Sequence, residues 1–299
     1  MDFQYLSANR YWYIEALHKA HAYQISARRR MENERSVNRL GLPSWRRIRL
    51  LNVWIDDLSV EEIVSRADRD ILFTVNADHL YQLQRNPDFA AAYAEATLVS
   101  CDSKYVRAGV MAVGRGSVHK ACGSDIVPAY WKHHARNLDV SIFLLGAKPG
   151  VGQIASERIN RSAGREIVVG AHGPSMNFVN DEAECLAAID MINASGATCL
   201  IVGLGAPKQE IWITRYRHLM PDVRLYMGVG ATIDYEAEVI KRAPRWMRQA
   251  GLEWFHRVIT DPRRYALRYL KNAQFFWLVF LDRFGWYKPP KFKSPNSKI

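Results

Sequence analysis

The 299 residues are 48% hydrophobic, enough to bury a substantial core, and no apolar run approaches the roughly 20 residues that a membrane-spanning helix needs. Four cysteines without CxxC spacing argue against a disulfide framework and fit a reduced, cytosolic setting. The 41 lysines and arginines outnumber the 30 aspartates and glutamates, and the net charge of +11 favours nucleic acid, an anionic membrane surface or phosphorylated substrates as partners.

Residues 1–46 are predicted to form an N-terminal arm outside the main domain. They mix aromatic and polar side chains and then become basic and glutamate-bearing in "SARRRMENERSVNR", with weak helical periodicity. This pattern favours a solvated helix or a partly ordered arm, with contact to a membrane or a partner as the alternative.

Residues 47–235 are predicted to form an α/β domain. The pair Ser59 and Glu62 is a capping box, so a helix is expected to begin near Val60. Six apolar runs, predicted as strands, alternate with helical segments: "DILFTVN", "TLVSC", "VSIFLLG", "EIVVGAHG", "TCLIVGLG" and "VRLYMGVG". The alternation indicates βαβ units and therefore a Rossmann-like, doubly wound, mostly parallel sheet.

Two of the helical segments contain a proline beyond their first position. The segment "ADHLYQLQRNPDFAAAYAEA", residues 77–96, is expected to be helical along its length. In "GSDIVPAYWKHHARN", Pro128 is expected in the first turn or at a kink, because proline lacks the N–H that a helix interior uses.

The stretch "VGLGAPKQE", residues 202–210, runs from the end of a predicted strand into a helix. Gly203 and Gly205 permit a tight turn and a close backbone approach, and Pro207 fits the first helical position. The exposed amides of the first helical turn favour an anion beyond the end of the strand. The polar side chains that follow are placed to contact the same ligand: Lys208, Gln209 and Glu210.

Three interpretations of this stretch compete. A dinucleotide-binding turn would have a third glycine where Lys208 stands, and no acidic partner for a ribose is evident. A purely structural turn explains the glycines and the proline but not the three polar residues. A phosphate or nucleotide-sugar site explains all of them.

Polar residues and glycines also follow the other predicted strands. In open α/β sheets ligands bind at this edge, where the carboxyl ends of the strands meet. Any one of these residues could be an ordinary loop residue, and Asp102 could be a helix cap, but five such clusters on one edge indicate a site. The residues concerned are Thr74, Asn76, Asp78, Asp102, Gly146, Gly228, Gly230 and Asp234.

Eight motifs in fixed order complete the pattern between about residues 48 and 270: "TVN", the aspartate of "CDS", "GSD", "FLLG", "VGLGAPKQE", "GVGATIDY", "KRAPRWM" and "GLEWFHRV". In this order they resemble the WecG/TagA/CpsF family, glycosyltransferase family 26. The run from "VGLGAPKQE" through "LEWFHR" is the most specific part, and the first 45 or so residues lie outside the resemblance.

The resemblance implies a metal-independent, inverting transfer of a sugar from a nucleoside-diphosphate donor to a sugar carried on a polyprenyl diphosphate. Donors that suit the family are UDP-sugars of the N-acetylmannosamine, N-acetylmannosaminuronic acid or glucose type. The products serve bacterial exopolysaccharide and other cell-surface polysaccharides. No cofactor is expected.

The resemblance also assigns roles to residues. The general base is the aspartate after the second strand, which matches Asp102, and three further catalytic positions match Thr74, Gln209 and Arg257. The residues expected to bind the donor are Asn76, Gly146, Gly203, Gly205, Pro207, Lys208, Glu210, Gly228, Gly230, Asp234 and Arg242.

The sequence departs from the family pattern at two positions. Ser103 replaces the glycine beside Asp102, and Glu238 stands where the family usually has glycine, which is expected to alter the turn before Arg242. The departures leave a non-catalytic, membrane-associated scaffold as one alternative. A nucleotide-dependent oxidoreductase is the alternative enzyme class, which Lys208 disfavours.

No metal site is expected. The sequence Asp68-Arg69-Asp70 matches the Asp-x-Asp of metal-dependent glycosyltransferases, but it precedes a strand and should lie at the opposite edge of the sheet. The nine histidines include no HExxH, and the adjacent His133 and His134 cannot share one face of a helix.

Residues 236–299 are predicted to be a helical appendage, basic and aromatic, that attaches the protein to a membrane. The run Phe275–Leu281 is too short to span a bilayer, but basic residues attract anionic headgroups while aromatic residues insert shallowly. The alternative is a helix packed on the core with its aromatics buried, and no RNA-binding signature supports a nucleic-acid partner. The protein is therefore expected to be peripheral on the cytoplasmic face of the cell membrane, with a homo-oligomer left open.

Overall fold

The structure is a computed structural model that describes residues 45–240 and 274–292, with the single residues 244, 247, 255 and 259 between them. The compact unit that begins at Arg47 contains the strands and helices given below.

A six-stranded sheet forms the centre of this unit. Its strands are β3 (Ile71–Val75), β4 (Leu98–Cys101), β5 (Ile142–Gly146), β6 (Val168–His172), β7 (Cys199–Gly203) and β8 (Leu225–Gly228). They lie in the order β4-β3-β8-β7-β5-β6, and every adjacent pair is parallel. All residues of β3 and β5 are buried, as expected for strands covered on both faces. The predicted Rossmann-like sheet is confirmed.

Helices connect the strands and flank the sheet. They are α1 (Val60–Arg66), α2 (Ala77–Gln82), α3 (Pro87–Ala94), α4 (Lys104–Ala112), α5 (Gly123–His133), α6 (Val151–Ala163), α7 (Glu182–Ala194), α8 (Lys208–Tyr216) and α9 (Thr232–Glu236). The capping box at the start of α1 is present, because Glu62 N donates to Ser59 Oγ at 3.2 Å and Ser59 N donates to Glu62 Oε2 at 2.9 Å.

Prolines bear on two of the predicted helices. The segment 77–96 is two helices, because Asn86 caps a new helix by accepting from Phe89 N at 3.0 Å, and Pro87 occupies its first position. Pro128 lies inside α5 and not in its first turn.

A hairpin before the sheet was not predicted. Strands β1 (Arg47–Leu50) and β2 (Val53–Asp56) pair antiparallel, and β2 packs beside β4. The buried Asp56 accepts from Val99 N at 2.8 Å and pairs with Arg47 at 3.0 Å. The hairpin therefore covers the outer edge of β4 and protects that edge from pairing with another chain.

The order of the strands determines where the sheet has a switch point, the place at which successive connections turn to opposite sides. The chain leaves β5 toward β6 on one side and leaves β7 toward β8 on the other. Gly146, the last residue of β5, is the register partner of Gly203, the last residue of β7. The crevice between these two strand ends is the switch point at which α/β sheets bind ligands.

A helix at residues 274–283 packs on the domain from outside. The ring of Phe275 lies so close to Gly109 that a Cβ on the glycine would be 3.1 Å from it. Asp282 accepts two hydrogen bonds from Arg115, at 2.6 and 2.9 Å, and one from Leu51 N at 3.1 Å. This helix is therefore part of the core and not a detached tail.

Replacing Asp282 with Ala is expected to lower the free energy of unfolding by about 2 kcal/mol, because it removes the acceptor of the buried Leu51 N–H and the carboxylate that pairs with Arg115. Chemical denaturation of the variant measures this loss. Asp190→Ala, at an exposed position of α7, is the control, and an equal loss in both variants would contradict the anchoring role.

Candidate active site

Asp102 lies at the carboxyl end of β4, where its N–H donates to the carbonyl of Val75 at 2.9 Å and so joins the ends of β3 and β4. The residue is half-buried. Ser103 beside it is extended, at φ −150° and ψ 134°, and its hydroxyl caps α4 by accepting from Tyr105 N at 3.1 Å. Any residue adopts this backbone conformation, so the departure from glycine at position 103 imposes no strain on Asp102.

Thr74 and Asn76 lie at the neighbouring end of β3, as predicted. Thr74 is 4% exposed, and its carbonyl accepts from the hydroxyl of Tyr93 at 3.1 Å. The side-chain oxygen of Asn76 caps α2 by accepting from His79 N at 3.0 Å. Asn76 therefore fixes the start of the helix that follows this strand end.

Three glycines allow the strand ends to pack backbone against backbone. A Cβ on Gly146 would lie 2.6 Å from the carbonyl of Gly203, and a Cβ on Gly203 would lie 2.8 Å from the carbonyl of Gly230. A Cβ on Gly228 would lie 3.0 Å from the ring of Phe73. The close approach that these glycines permit is thus between the turns of the protein itself, which stacks the ends of β5, β7 and β8.

Gly205 and Gly230 have the left-handed backbone of tight turns, with φ of +79° and +59°. Both of their N–H groups donate to one atom, Gln209 Oε1, each at 3.1 Å. The nitrogen of the same amide, Gln209 Nε2, donates to Glu210 Oε1 at 2.8 Å. Gln209 is only 1% exposed, so its side chain ties the two turns together from inside.

Glu210 is fully buried on the first turn of α8. Its Oε2 has no hydrogen-bond partner among the described residues. Burial raises the pKa of this carboxyl from 4.5 to about 7, against the smaller opposing effect of the hydrogen bond from Gln209. Glu210 therefore carries a proton over part of the neutral range.

Tyr93 was not predicted as a site residue, yet it lies beside several of them, because α3 packs on α8. Its hydroxyl, which donates to the Thr74 carbonyl, is also 2.8 Å from Nδ1 of His79. Burial raises the pKa of Tyr93 well above 10, and the negative charges of Glu210 and Asp102 raise it further. Both carboxyls therefore act on one buried hydroxyl beneath the edge of the sheet.

Pro207 and Lys208 differ slightly from their predicted positions. Pro207 is the cap residue, after a cis peptide bond, and Lys208 is the first residue of α8. Lys208 is exposed, while the two residues after it, Gln209 and Glu210, are buried. The three polar residues therefore point to different surroundings and do not form one row facing a ligand.

Asp234 lies half-buried on α9, directly after the turn at Gly230, and its carbonyl accepts from Val239 N at 3.1 Å. The remaining predicted site residues, Arg242 and Arg257, lie outside the described residues.

Glu238, the second departure from the family pattern, has a left-handed backbone with φ 55°. Only glycine adopts this conformation without steric cost, which explains why glycine is usual here. Its carboxylate pairs with Arg158 on α6, and both side chains are substantially exposed. The turn is therefore kept despite the substitution, with an ion pair from α9 to α6.

Replacing Glu238 with Gly is expected to raise the free energy of unfolding by about 0.5 kcal/mol, because relief of the left-handed strain exceeds the loss of an exposed ion pair. Denaturation of the wild type and the variant measures it. Glu238→Ala is the control that removes the ion pair but keeps the strain, and it should be about 1 kcal/mol less stable than the glycine variant. Equal stability of the two variants would show that position 238 is unstrained.

Asp68 and Asp70 lie before β3, at the opposite edge from Asp102, as predicted. Asp68 pairs with Arg224 at 3.6 Å, and Asp70 accepts from the Thr97 hydroxyl at 2.7 Å. Among the residues that the structure describes, no cluster of three or more His, Cys, Asp or Glu side chains could hold a metal ion.

The fold and the edge together define a class: α/β proteins with a parallel sheet, whose carboxyl edge here carries glycine turns at the ends of β5, β7 and β8 and a carboxylate after β4. Comparison with family models identifies it further. The model of the glycosyl transferase WecG/TagA/CpsF family matches residues 48–289. The chain belongs to this family and is a glycosyltransferase, so the oxidoreductase alternative is wrong. The match extends through the C-terminal helix, beyond the region in which the motifs were recognised.

Proposed function

We propose that this glycosyltransferase is an inverting enzyme that moves a sugar from a UDP-sugar to a sugar carried on a polyprenyl diphosphate. The donor is of the N-acetylmannosamine, N-acetylmannosaminuronic acid or glucose type, and the product serves bacterial exopolysaccharide or another cell-surface polysaccharide. The observation that carries the proposal is the position of the Asp102 carboxylate, on the same edge of the sheet as the glycine turns of β5, β7 and β8.

The chemistry needs a base and a pocket for the leaving group. As an acceptor hydroxyl attacks the anomeric carbon, the carboxylate of Asp102 takes its proton. The bond from the anomeric carbon to the diphosphate breaks on the opposite face, and the leaving UDP keeps the electron pair. The positive end of the α8 dipole and the exposed Lys208 at its first position stabilise the negative charge that grows there.

Further residues complete the site in this proposal. Thr74 and Asn76 shape the end of β3 beside the base, and Arg242 and Arg257 add charge opposite the diphosphate, since a guanidinium binds two phosphate oxygens at once. No cofactor takes part.

A panel of UDP-sugars tests the proposal, each offered with a sugar-diphosphate-polyprenol acceptor and without a divalent cation. We expect one donor of the three types to give lipid-linked product with an inverted anomeric centre, as read by NMR. The absence of product from every donor, with a folded enzyme, would favour the alternative of a non-catalytic scaffold.

We also propose that the protein is peripheral on the inner face of the cell membrane. No helix among the described residues is long and apolar enough to cross a bilayer. Beyond the buried Phe275, the C-terminal helix and the residues after it expose a group of aromatic side chains, Trp277, Phe280, Phe284 and Trp286, which are 43% to 64% exposed. Trp277 stacks on Phe280 and Phe284 stacks on Trp286.

Charge supports the same assignment for this aromatic surface. Three basic residues lie on or directly after the helix: Arg283, Lys288 and Lys291. Aromatic rings that insert at the depth of the headgroups, flanked by cations that attract anionic lipids, are the two components of interfacial binding. The lipid-borne acceptor of the proposed reaction is found at such a surface.

Replacing both Phe284 and Trp286 with Ser is expected to lower the partition coefficient on anionic phosphatidylglycerol vesicles roughly tenfold or more, because two apolar side chains no longer insert. Vesicle co-sedimentation measures this. Leu138→Ser, at a site 80% exposed and remote from the helix, is the control. Undiminished binding by the double variant would contradict the membrane role of the aromatic surface.

A further inference from the structure

Gln209 and Glu210 are adjacent, buried and hydrogen-bonded to each other, an arrangement that the proposed reaction does not by itself require. The amide oxygen of Gln209 accepts from two backbone N–H groups, and its nitrogen donates to the Glu210 carboxyl. Most of the hydrogen-bonding capacity of this amide is therefore used inside the protein. With 1% exposure, Gln209 serves the turns and not the solvent-filled side of the edge.

An amide has two orientations, and the two turns accept only one of them. If the Gln209 amide were reversed, its NH₂ group would face the N–H groups of Gly205 and Gly230, and neither buried donor would have an acceptor. Glu210 Oε1, 2.8 Å from Gln209 Nε2, favours the observed orientation, because it accepts the hydrogen bond that the NH₂ group of the amide donates.

We infer that Glu210 is a positioning residue that fixes the amide orientation of Gln209 and, through it, the spacing of the turns at Gly205 and Gly230. The inference rests on the proposed function, which places the donor diphosphate at these turns. Glu210 acts on the donor only through Gln209 and the two turns, and neither side chain contacts the leaving group.

The burial of Glu210 supports this role independently of the amide. One of its oxygens is buried with no partner among the described residues, an arrangement that costs stability. An apolar side chain of similar size would avoid that cost. The presence of a carboxyl at this position is therefore explained by the Gln209 amide, which it holds in place.

The test compares Glu210→Leu, which cannot accept from Gln209, with Glu210→Gln, whose amide oxygen still can. Glu182→Leu is the matched control, since Glu182 is an exposed first-turn glutamate of α7. Hydrogen exchange, read by mass spectrometry in peptides covering 203–209 and 228–232, reports the state of the two turns. Calorimetric titration with UDP measures the affinity of the proposed donor site.

We expect Glu210→Leu to speed exchange at both turns and to weaken UDP binding about tenfold, and Glu210→Gln to restore both to wild-type values. If the carboxyl merely filled space, Glu210→Leu, whose side chain has a similar volume, would already match the wild type. Exchange and affinity in Glu210→Leu that match Glu182→Leu would overturn the inference. If Glu210→Leu does not fold, Gln209→Met replaces it and must show faster exchange at both turns. Unchanged exchange at the turns of Gln209→Met would also overturn the inference.

The two proposals fail in different ways. If the wild type does not bind UDP while both turns still depend on Glu210 for protection, the positioning role stands and the proposed donor site is wrong. If UDP binds tightly and Glu210→Leu changes neither turn, the donor site stands and the positioning role is wrong.

Discussion

Replacing Asp102 with Asn is expected to lower kcat about 10²- to 10⁴-fold, while the Kd for UDP stays within about twofold. Asparagine has nearly the same size, and the backbone N–H of residue 102 can still donate to the Val75 carbonyl, so the end of β4 keeps its position. An amide cannot take the proton of the acceptor hydroxyl. Steady-state turnover with the donor found in the panel, together with calorimetric UDP titration, measures both quantities.

Asp88→Asn is the matched control, because Asp88 is an exposed aspartate on α3 to which the proposed reaction gives no role. It should retain wild-type turnover. Retention of more than a tenth of the activity by Asp102→Asn would mean that Asp102 is not the base. A parallel loss of UDP affinity would instead assign Asp102 to the donor site.

Much of the fold follows from the sequence, because its main signals are local. The central strands are runs of four or five apolar residues, and the helices between them have their own caps and periodicity. The hairpin at β1 and β2 lacks such a signal: its strands have four residues each, and Arg47 and Asp56 read as surface charges. Asp56 is buried only because β4 supplies Val99 N as a partner, which is information from a distant part of the chain.

The sequence predicts which edge of the sheet carries the candidate site, but not the direction in which each side chain points. The strand ends could be placed together because parallel strands share one carboxyl edge. Whether Gln209 faces the ligand or the core depends on how α8 docks on α3, which spacing does not encode. Tyr93 gave no signal either, since an aromatic residue among alanines is typical of an ordinary core position.

The buried Glu210 should make the stability of the protein depend on pH. Its pKa is about 7 in the folded protein and 4.5 as the ordinary value, so the folded state holds a proton that the unfolded chain has released between these values. Raising the pH through this window therefore favours unfolding, and about 2.5 units at roughly 1.4 kcal/mol each amount to about 3 to 4 kcal/mol in all. Below pH 4.5 and above pH 7 this contribution is flat.

Glu210→Gln is expected to remove this dependence, because the amide does not titrate. The free energy of unfolding of the variant minus that of the wild type should rise by about 3 kcal/mol between pH 4.5 and 7.5, measured by urea denaturation at several pH values. The other ionisable groups that act in this region, Tyr93 on α3 and Asp102 after β4, are present in both proteins and cancel in the difference. Glu182→Gln, exposed on α7, should give a constant difference over the same range.

A pH-independent difference in the free energy of unfolding between wild type and Glu210→Gln would show that Glu210 titrates as an ordinary carboxyl and is not the buried group described above.

The expected pH dependence has a consequence for the turns at Gly205 and Gly230. Ionisation of Glu210 costs stability, yet the charged carboxylate is a stronger acceptor for the Gln209 amide than the protonated carboxyl. Between pH 4.5 and 7 the wild type should therefore lose global stability while the exchange protection at Gly205 and Gly230, measured relative to global unfolding, increases. Glu210→Gln should show neither trend, because its acceptor does not change with pH.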